Sequence, residues 1–253
     1  MNAMILAAGL GTRLRPLTDT KPKALVEVAG KSLLHWVAEK LVSSGFNRIV
    51  VNIHHHADMM RDAIKNLPLD AEFIISDESG QLLDTGGGLL KAKPFLESNK
   101  AFLLYNVDIL SDINLQDMYS CHLAKGGIAT LATSARESSN HLLWHNNKLV
   151  GWEQTVSGEK IIAKETSNQP QKRAFSGVHV ISPKIFDLIN YSGKFSIIKA
   201  YLDLAGKHNI YSYHHGHKYW FDIGSIEKLN AAEKIISKNP GITNCNTLDI
   251  RGL

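Results

Sequence analysis

The stretch MILAAGLGTRLRPLTDTKPKALVEV, residues 4–28, decides the fold. It opens on an apolar run, Met4 to Ala8, with the length and composition of a buried strand. The run ends in Gly9 and Gly11, which permit left-handed backbone and close approach by a ligand. Thr12 adds a hydroxyl, and Arg13 a planar guanidinium fork suited to phosphate. Consecutive N–H groups in such a turn form an anion-binding nest. The loop is not a Walker A sequence, because no Gly-Lys-Ser/Thr closes it. Nor is it Gly-x-Gly-x-x-Gly, because no third glycine follows Arg13-Leu14. A plain turn with solvent-facing charge would explain the first half alone. Pro16 and Pro22, however, stiffen a connection of over twenty residues, where about 2–6 are usual in βα units. Loops that long in compact domains tend to carry function. Lys21 and Lys23 stand at the far end, before the apolar Ala24-Leu25-Val26.

Further strand-like runs follow at Arg48–Ile53, Glu72–Ile75, Ala101–Tyr105, Ile128–Thr133 and Gly177–Ile181. Between them lie helical patterns. Leu33, Leu34, Val37, Leu41 and Val42 recur at helical spacing before Gly45, and Ala57–Asn66 and Leu89–Leu96 are shorter candidates. Helices return at Lys184–Ile189, Ile197–Gly206 and Ile226–Ser237. Alternation of this kind predicts an α/β fold with a mostly parallel central sheet flanked by helices. Ligands then bind beyond the carboxyl ends of the strands. Residues 134–175 are more polar. Asn146-Asn147 between LLW and KLVGW predicts a small β-hairpin excursion with a loose loop after it. No linker and no internal repeat is visible, so one domain is expected.

Composition excludes several classes. At 253 residues, 44% hydrophobic, the chain can bury a sizeable core. Net charge is +4, and Lys and Arg are dispersed except near 13–23, which disfavours nucleic acid and favours a small anionic substrate. Cys121 and Cys245 are too few for a disulfide scaffold and lack metal spacing. No apolar run approaches the ~20 residues of a spanning helix. The N-terminus turns to Gly and Arg too early for a signal peptide. A cytoplasmic protein, with no membrane partner, is expected. The runs His54-His55-His56 and His214, His215, His217 suggest metal. Neighbouring side chains in a strand face opposite ways, though, so a run chelates poorly.

Three motifs remain. In LLYNVDILSD (103–112) an apolar strand ends and Asp108 appears beyond it, placed to hold Mg²⁺ beside a phosphate. Asp112 is a candidate cap for a helix over 113–124. In YWFDIGSIEKLNAAE (219–233) an aromatic run again ends in an acid, Asp222, which either meets Asp108 at one metal or caps the next helix. In LLDTGGGLLKA (82–92) three glycines open a helix, at a cost in backbone entropy. Close approach of a base or phosphate would justify them, and a flexible lid hinge is the alternative.

Taken together, LAAGLGTRLRPLTDTKPKALVEVAGKSLL, NVD, WFDIG and LDTGGG resemble the signature of sugar-1-phosphate nucleotidyltransferases, notably their short uridylyl-transferring members. The resemblance covers about residues 1–115 and 175–236. It implies a Rossmann-like nucleotidyltransferase fold, with a nucleotide-binding part over about 1–115, a sugar-phosphate part over about 116–236 and a tail at 237–253. It implies Mg²⁺-dependent transfer from an NTP, UTP favoured, to a sugar 1-phosphate. Ala8, Gly9, Gly11, Thr12, Arg13 and Lys23 would bind the nucleotide, with Arg13 and Lys23 acting in catalysis. Asp108 and Asp222 would hold the metal. Thr85, Gly86 and Gly87 would contact the base, and Asn106 would lie beside the nucleotide or sugar. Glu153, in GWEQ, stands in for an absent Glu-Lys-Pro motif on the sugar side, and Gly177, in FSGVHVIS, lies on the later sugar-side strand. Val107 departs from the usual glycine of Asn-Gly-Asp. Cytidylyl transfer to phosphocholine or a similar phospho-alcohol, and non-catalytic NTP sensing, are the alternatives. The oligomeric state is not legible.

Overall fold

The computed structural model describes residues 1–98, 100–216 and 219–238. The rest of the tail, with Cys245, lies outside the described residues. Strand β1 (Asn2–Leu6) enters the long loop, which is made of three 3-10 turns at Thr12–Leu14, Leu17–Asp19 and Lys23–Leu25. A ribbon of β2 (Glu27–Val28) and β3 (Lys31–Ser32) then delivers the chain to α1 (Leu33–Ser43). Ser32 caps α1 by accepting from the His35 N–H at 3.2 Å, and Leu33, Leu34, Val37 and Leu41 form its buried stripe. Next come β4 (Arg48–Ile53), α2 (Ala57–Lys65), β5 (Glu72–Asp77), α3 (Asp84–Lys91), α4 (Lys93–Leu96) and β6 (Phe102–Asn106). After β7 (Ile109–Ser111) follow α5 (Leu115–Lys125), β8 (Ala129–Ser134), β9 (Asn140–His145), β10 (Lys148–Gln154), β11 (Lys160–Ile162) and β12 (Gln171–Ile181). The chain ends with α6 (Ile185–Leu188), α7 (Ile197–Ala205), β13 (Ile210–His214), β14 (Trp220–Asp222) and α8 (Ile226–Lys238).

The main sheet runs β11-β10-β13-β8-β12-β6-β1-β4-β5, with β9 bridging β10 and β12. Strands β5, β4, β1 and β6 are parallel; β12 runs antiparallel between β6 and β8, and β13 is again parallel to β8. Eight strands of this sheet thus share one direction and two, β12 and β10, are reversed. Strand β1 lies between β4, which follows it directly, and β6, which returns after β5. The order therefore reverses at β1, and the crevice beyond Leu6 and Asn106 is the switch point where such sheets bind ligands. Alternation along the strands builds two cores: Ala3, Ile5, Ile49 and Val51 face one side, Met4, Val50 and Leu104 the other.

Two local expectations change. Asn114, not Asp112, caps α5: its Oδ1 accepts the Asp117 N–H at 3.0 Å, because buried Ile113 keeps the preceding segment extended. The hairpin turns where expected, with Asn146 and Asn147 at φ 51° and 60°, the left-handed pair of a type I′ turn. Its strands, however, join the main sheet, because β9 pairs with β12 and β10 with β13.

Candidate active site

A cavity of about 330 Å³ opens at the switch point. Ala7, Ala8 and Gly9 form one wall as they leave β1, and Asn106, Val107 and Asp108 another as they leave β6. Lys23 reaches in from the loop, and Glu78, Leu82 and Thr85 close the side toward α3.

Buried anchors make the loop a structured element. Leu14 and Ala24 are fully buried, and Thr18 Oγ1 donates to the Gly11 carbonyl at 2.9 Å. Gly11 adopts φ 64°, and a Cβ there would stand 2.9 Å from Lys23 Cβ. This glycine lets the two ends of the loop meet, which brings Lys23 back to the strand ends. A Cβ on Gly9 would meet nothing within 4 Å, so that backbone is open. Thr12 and Arg13 are exposed beside it.

The two strand-end acids converge. Strands β7 and β14 pair with Asp222 opposite Ile109, and the Ile223 N–H donates to the Asp108 carbonyl at 2.8 Å. Asp108 and Asp222 therefore share one end of a short ribbon. Lys23 Nζ donates to Asp108 Oδ2, and Lys228 Nζ donates to Asp222 Oδ2 at 2.5 Å. Arg13 also comes to this point, since a Cβ on Gly224 would lie 2.9 Å from Asp222 Oδ1 and 3.2 Å from Arg13 Nη2. Arg136 locks β14 from the far side. Its guanidinium stacks 3.7 Å over Trp220 and donates to Ser134 and Ser176 hydroxyls at 2.9 and 3.1 Å. Burial lowers its pKa to about 10, while the Asp222 carboxylate pulls the other way. Val107 needs no left-handed backbone, and its N–H donates to the Leu6 carbonyl at 3.2 Å. The glycine usual at that position is not required here.

Glu78 is the residue that sequence reasoning missed. It is fully buried yet lines the cavity. Asn52 Nδ2 donates to Oε1 at 2.7 Å and the Leu83 N–H to Oε2 at 3.2 Å, while Asn52 Oδ1 accepts the Ala7 N–H at 2.6 Å. Burial raises the Glu78 pKa, and these donors oppose the rise. The signal was available: an acid just past a strand-like run, as at Asp108 and Asp222.

The other expected residues separate. Thr85 is on the wall, its hydroxyl accepting the Ile197 N–H at 2.9 Å. Gly86 and Gly87 sit behind it, filled by protein and not by a ligand: a Cβ on either would stand 2.2 Å from Phe195 or Gly193. Asn106 lines the cavity, and its Oδ1 is buried with no hydrogen-bond partner. Gly177, at φ 78° in an irregularity of β12, lets Asn106 and Ile109 pack against it. Glu153 is off the cavity wall. It lies on β10 between His141 of β9 and Lys160 of β11 and pairs with Lys172, away from the crevice. Among the described residues no helix is long and apolar enough to cross a membrane.

The nucleotidyl transferase family model matches residues 2–239. An N-acetylmuramate alpha-1-phosphate uridylyltransferase of Neisseria meningitidis serogroup B is 31% identical over 241 residues, 93% of this chain and 98% of that protein. Its Caulobacter vibrioides counterpart is 32% identical over 215 residues, 80% of this chain and 84% of the relative. The fold is shared with a crystal structure of UDP-glucose pyrophosphorylase complexed with UDP-glucose, at a TM-score of 0.75 and 19% identity, over 94% of this chain and 98% of that one. The chain belongs to the nucleotidyl transferase family and is, as its loop and strand-end acids suggest, a sugar-1-phosphate nucleotidyltransferase.

Proposed function

We propose that this enzyme transfers a uridylyl group from UTP to a sugar 1-phosphate of the muramate kind, with Mg²⁺, and releases pyrophosphate. The observation that carries the reading is the β7–β14 pairing, which puts Asp108 and Asp222 at one place beside Lys23 and Arg13. Two carboxylates on a rigid ribbon, completed by phosphate oxygens and water, are a donor set that suits Mg²⁺. When bound there, Mg²⁺ supplies charge compensation at the phosphates.

The chain's own residues do the rest. A phosphate monoester has a second pKa near ~6, so the nucleophile is already ionised at neutral pH and needs no general base. The difficulty is to hold two anions in line, which is a matter of positioning and fixed positive charge. Open N–H groups at Gly9 and Gly11, with Thr12 and Arg13, cradle the leaving pyrophosphate. Lys23, held at the strand ends by Gly11, faces the reacting phosphate. Asn106 Oδ1 accepts from a hydroxyl of ribose or sugar, which satisfies an atom otherwise buried without a partner. Glu78, fully buried, accepts from Asn52 Nδ2 and the Leu83 N–H and so holds the wall toward α3 in place. The similarity to uridylyltransferases favours UTP and counts against the cytidylyl alternative. Small molecules in the cytoplasm, not nucleic acid or membrane, are the partners that fit.

The test is pyrophosphate release, with five NTPs crossed against a panel of sugar 1-phosphates and phosphocholine, with and without Mg²⁺. Metal-dependent release from UTP with a sugar phosphate is expected. Release confined to CTP with phosphocholine would move the enzyme to the cytidylyl class, and none with any pair would leave an NTP-binding protein without transfer.

A further inference from the structure

The glycine run of α3 has no part in the transfer chemistry, yet the packing explains it. A Cβ on Gly86 would stand 2.2 Å from the Phe195 ring, and one on Gly87 2.2 Å from the Gly193 carbonyl oxygen. The glycines therefore admit the segment from Tyr191 to Ile197, which comes from the other half of the chain, onto the first turn of α3. Four hydrogen bonds fasten it: Phe195 N–H to the Leu83 carbonyl at 3.2 Å, the Gly86 and Gly87 N–H groups to the Phe195 carbonyl at 2.9 and 3.4 Å, and Ile197 N–H to Thr85 Oγ1 at 2.9 Å. Tyr191 stacks on Phe195 with ring centroids 5.0 Å apart.

The docked segment delivers Lys194 to the cavity wall. The other lysine of that wall, Lys23, is matched by Asp108. Lys194 is not matched: among the described residues no carboxylate lies within ion-pair distance of it. Asp84, on the same wall, is turned to its neighbour, accepting the Thr85 N–H at 2.6 Å. Lys194 is solvent-exposed on that wall, so its ammonium is open to an incoming anion. The base and the ribose carry no charge, and the triphosphate and the acceptor phosphate belong at the Lys23 and Arg13 end. The remaining source of negative charge is the body of the acceptor sugar.

We infer that Lys194 is a specificity residue for the acceptor, pairing with the carboxylate of a muramate-type sugar 1-phosphate and so favouring it over a neutral hexose phosphate. This rests on the transfer reading and names the residue that selects the acceptor for it. The test compares N-acetylmuramate 1-phosphate, which carries an ether-linked carboxylate, with N-acetylglucosamine 1-phosphate, which is the same sugar without it. Lys194→Ala should raise KM for the carboxylate-bearing acceptor about 10- to 100-fold, as loss of a charged hydrogen bond does, and leave KM for the neutral acceptor and for UTP within about threefold. Lys194→Arg should restore most of the loss. Equal losses on both acceptors, a loss confined to UTP, or no loss would each overturn the inference. Should the wild type release pyrophosphate from no pair, transfer itself falls, and calorimetry decides Lys194 separately. Binding of N-acetylmuramate 1-phosphate that Lys194→Ala abolishes supports the pairing; binding that is absent or indifferent to the substitution overturns it.

Discussion

Lys23 and Glu78 both line the cavity, and each makes a prediction at the scale of one side chain. Lys23 stands within reach of Asp108 and of any phosphate at the strand ends. Lys23→Ala should lower kcat about 10²–10³-fold with a smaller effect on KM, as loss of one transition-state charge contact does. Steady-state rates with both substrates varied would show it, and near wild-type turnover would remove Lys23 from the reacting centre. On the same cavity, Glu78→Gln exchanges an acceptor for a group that also donates. One donor, Asn52 Nδ2 or the Leu83 N–H, then loses its partner or competes for the amide oxygen. Stability should fall by about 1–3 kcal/mol, the cost of leaving a buried donor unsatisfied, read as a lower urea midpoint. An unchanged midpoint would mean that these hydrogen bonds do not brace the wall.

The informative element is α3 with the segment docked on it. Glycines inside a helix lower its stability, and here the loss is offset by close packing that no larger residue allows. Gly86→Ala would drive a methyl into the Phe195 ring. Overpacking of this kind costs about 1–3 kcal/mol. A matching drop in the urea midpoint is expected, together with reduced acceptor affinity, because Lys194 rides on the displaced segment. A stable, fully active variant would show that the segment is free to move. The ribbon β7–β14 is a second such element: two short strands whose pairing, locked by Arg136 over Trp220, decides where Asp222 stands.

Across the whole molecule, buried histidines set the acid limit of stability. His122, on the buried face of α5 and against Thr130, has its pKa lowered to about 4, and His179, beside Tyr201, to about 3, both by burial. Unfolded, each takes a proton near pH 6.5. The stability they contribute is therefore present above pH ~6.5 and lost as pH falls toward their folded values, because the unfolded chain binds protons that the native chain refuses. Chemical denaturation at pH 7 and pH 5 should show a lower midpoint at pH 5. His122→Gln should flatten that difference, and an equal drop in the variant would assign it to other groups.

The sequence by itself determined the local pieces. The continuous apolar runs of β1, β4 and β6 mark strands buried on both faces, because successive side chains point to opposite sides of a sheet. Asn146-Asn147 names its turn because few residues tolerate φ above zero twice in succession. The long basic loop and the acids at strand ends made Lys23, Asp108 and Asp222 candidates before any fold was known. Only the tertiary structure decided what these pieces meet. Nothing near Glu78 shows that Asn52 and Leu83 will bury it at the cavity, and nothing near Lys194 shows that Phe195 will seat itself on Gly86. The glycine run looked like room for a ligand and is room for another part of the chain. Glu153 had a fitting residue type in a fitting strand, yet that strand continues away from the crevice. Period, turn chemistry and charge are properties of neighbouring residues, whereas contact between distant segments depends on sheet order and packing, which no short window of sequence carries.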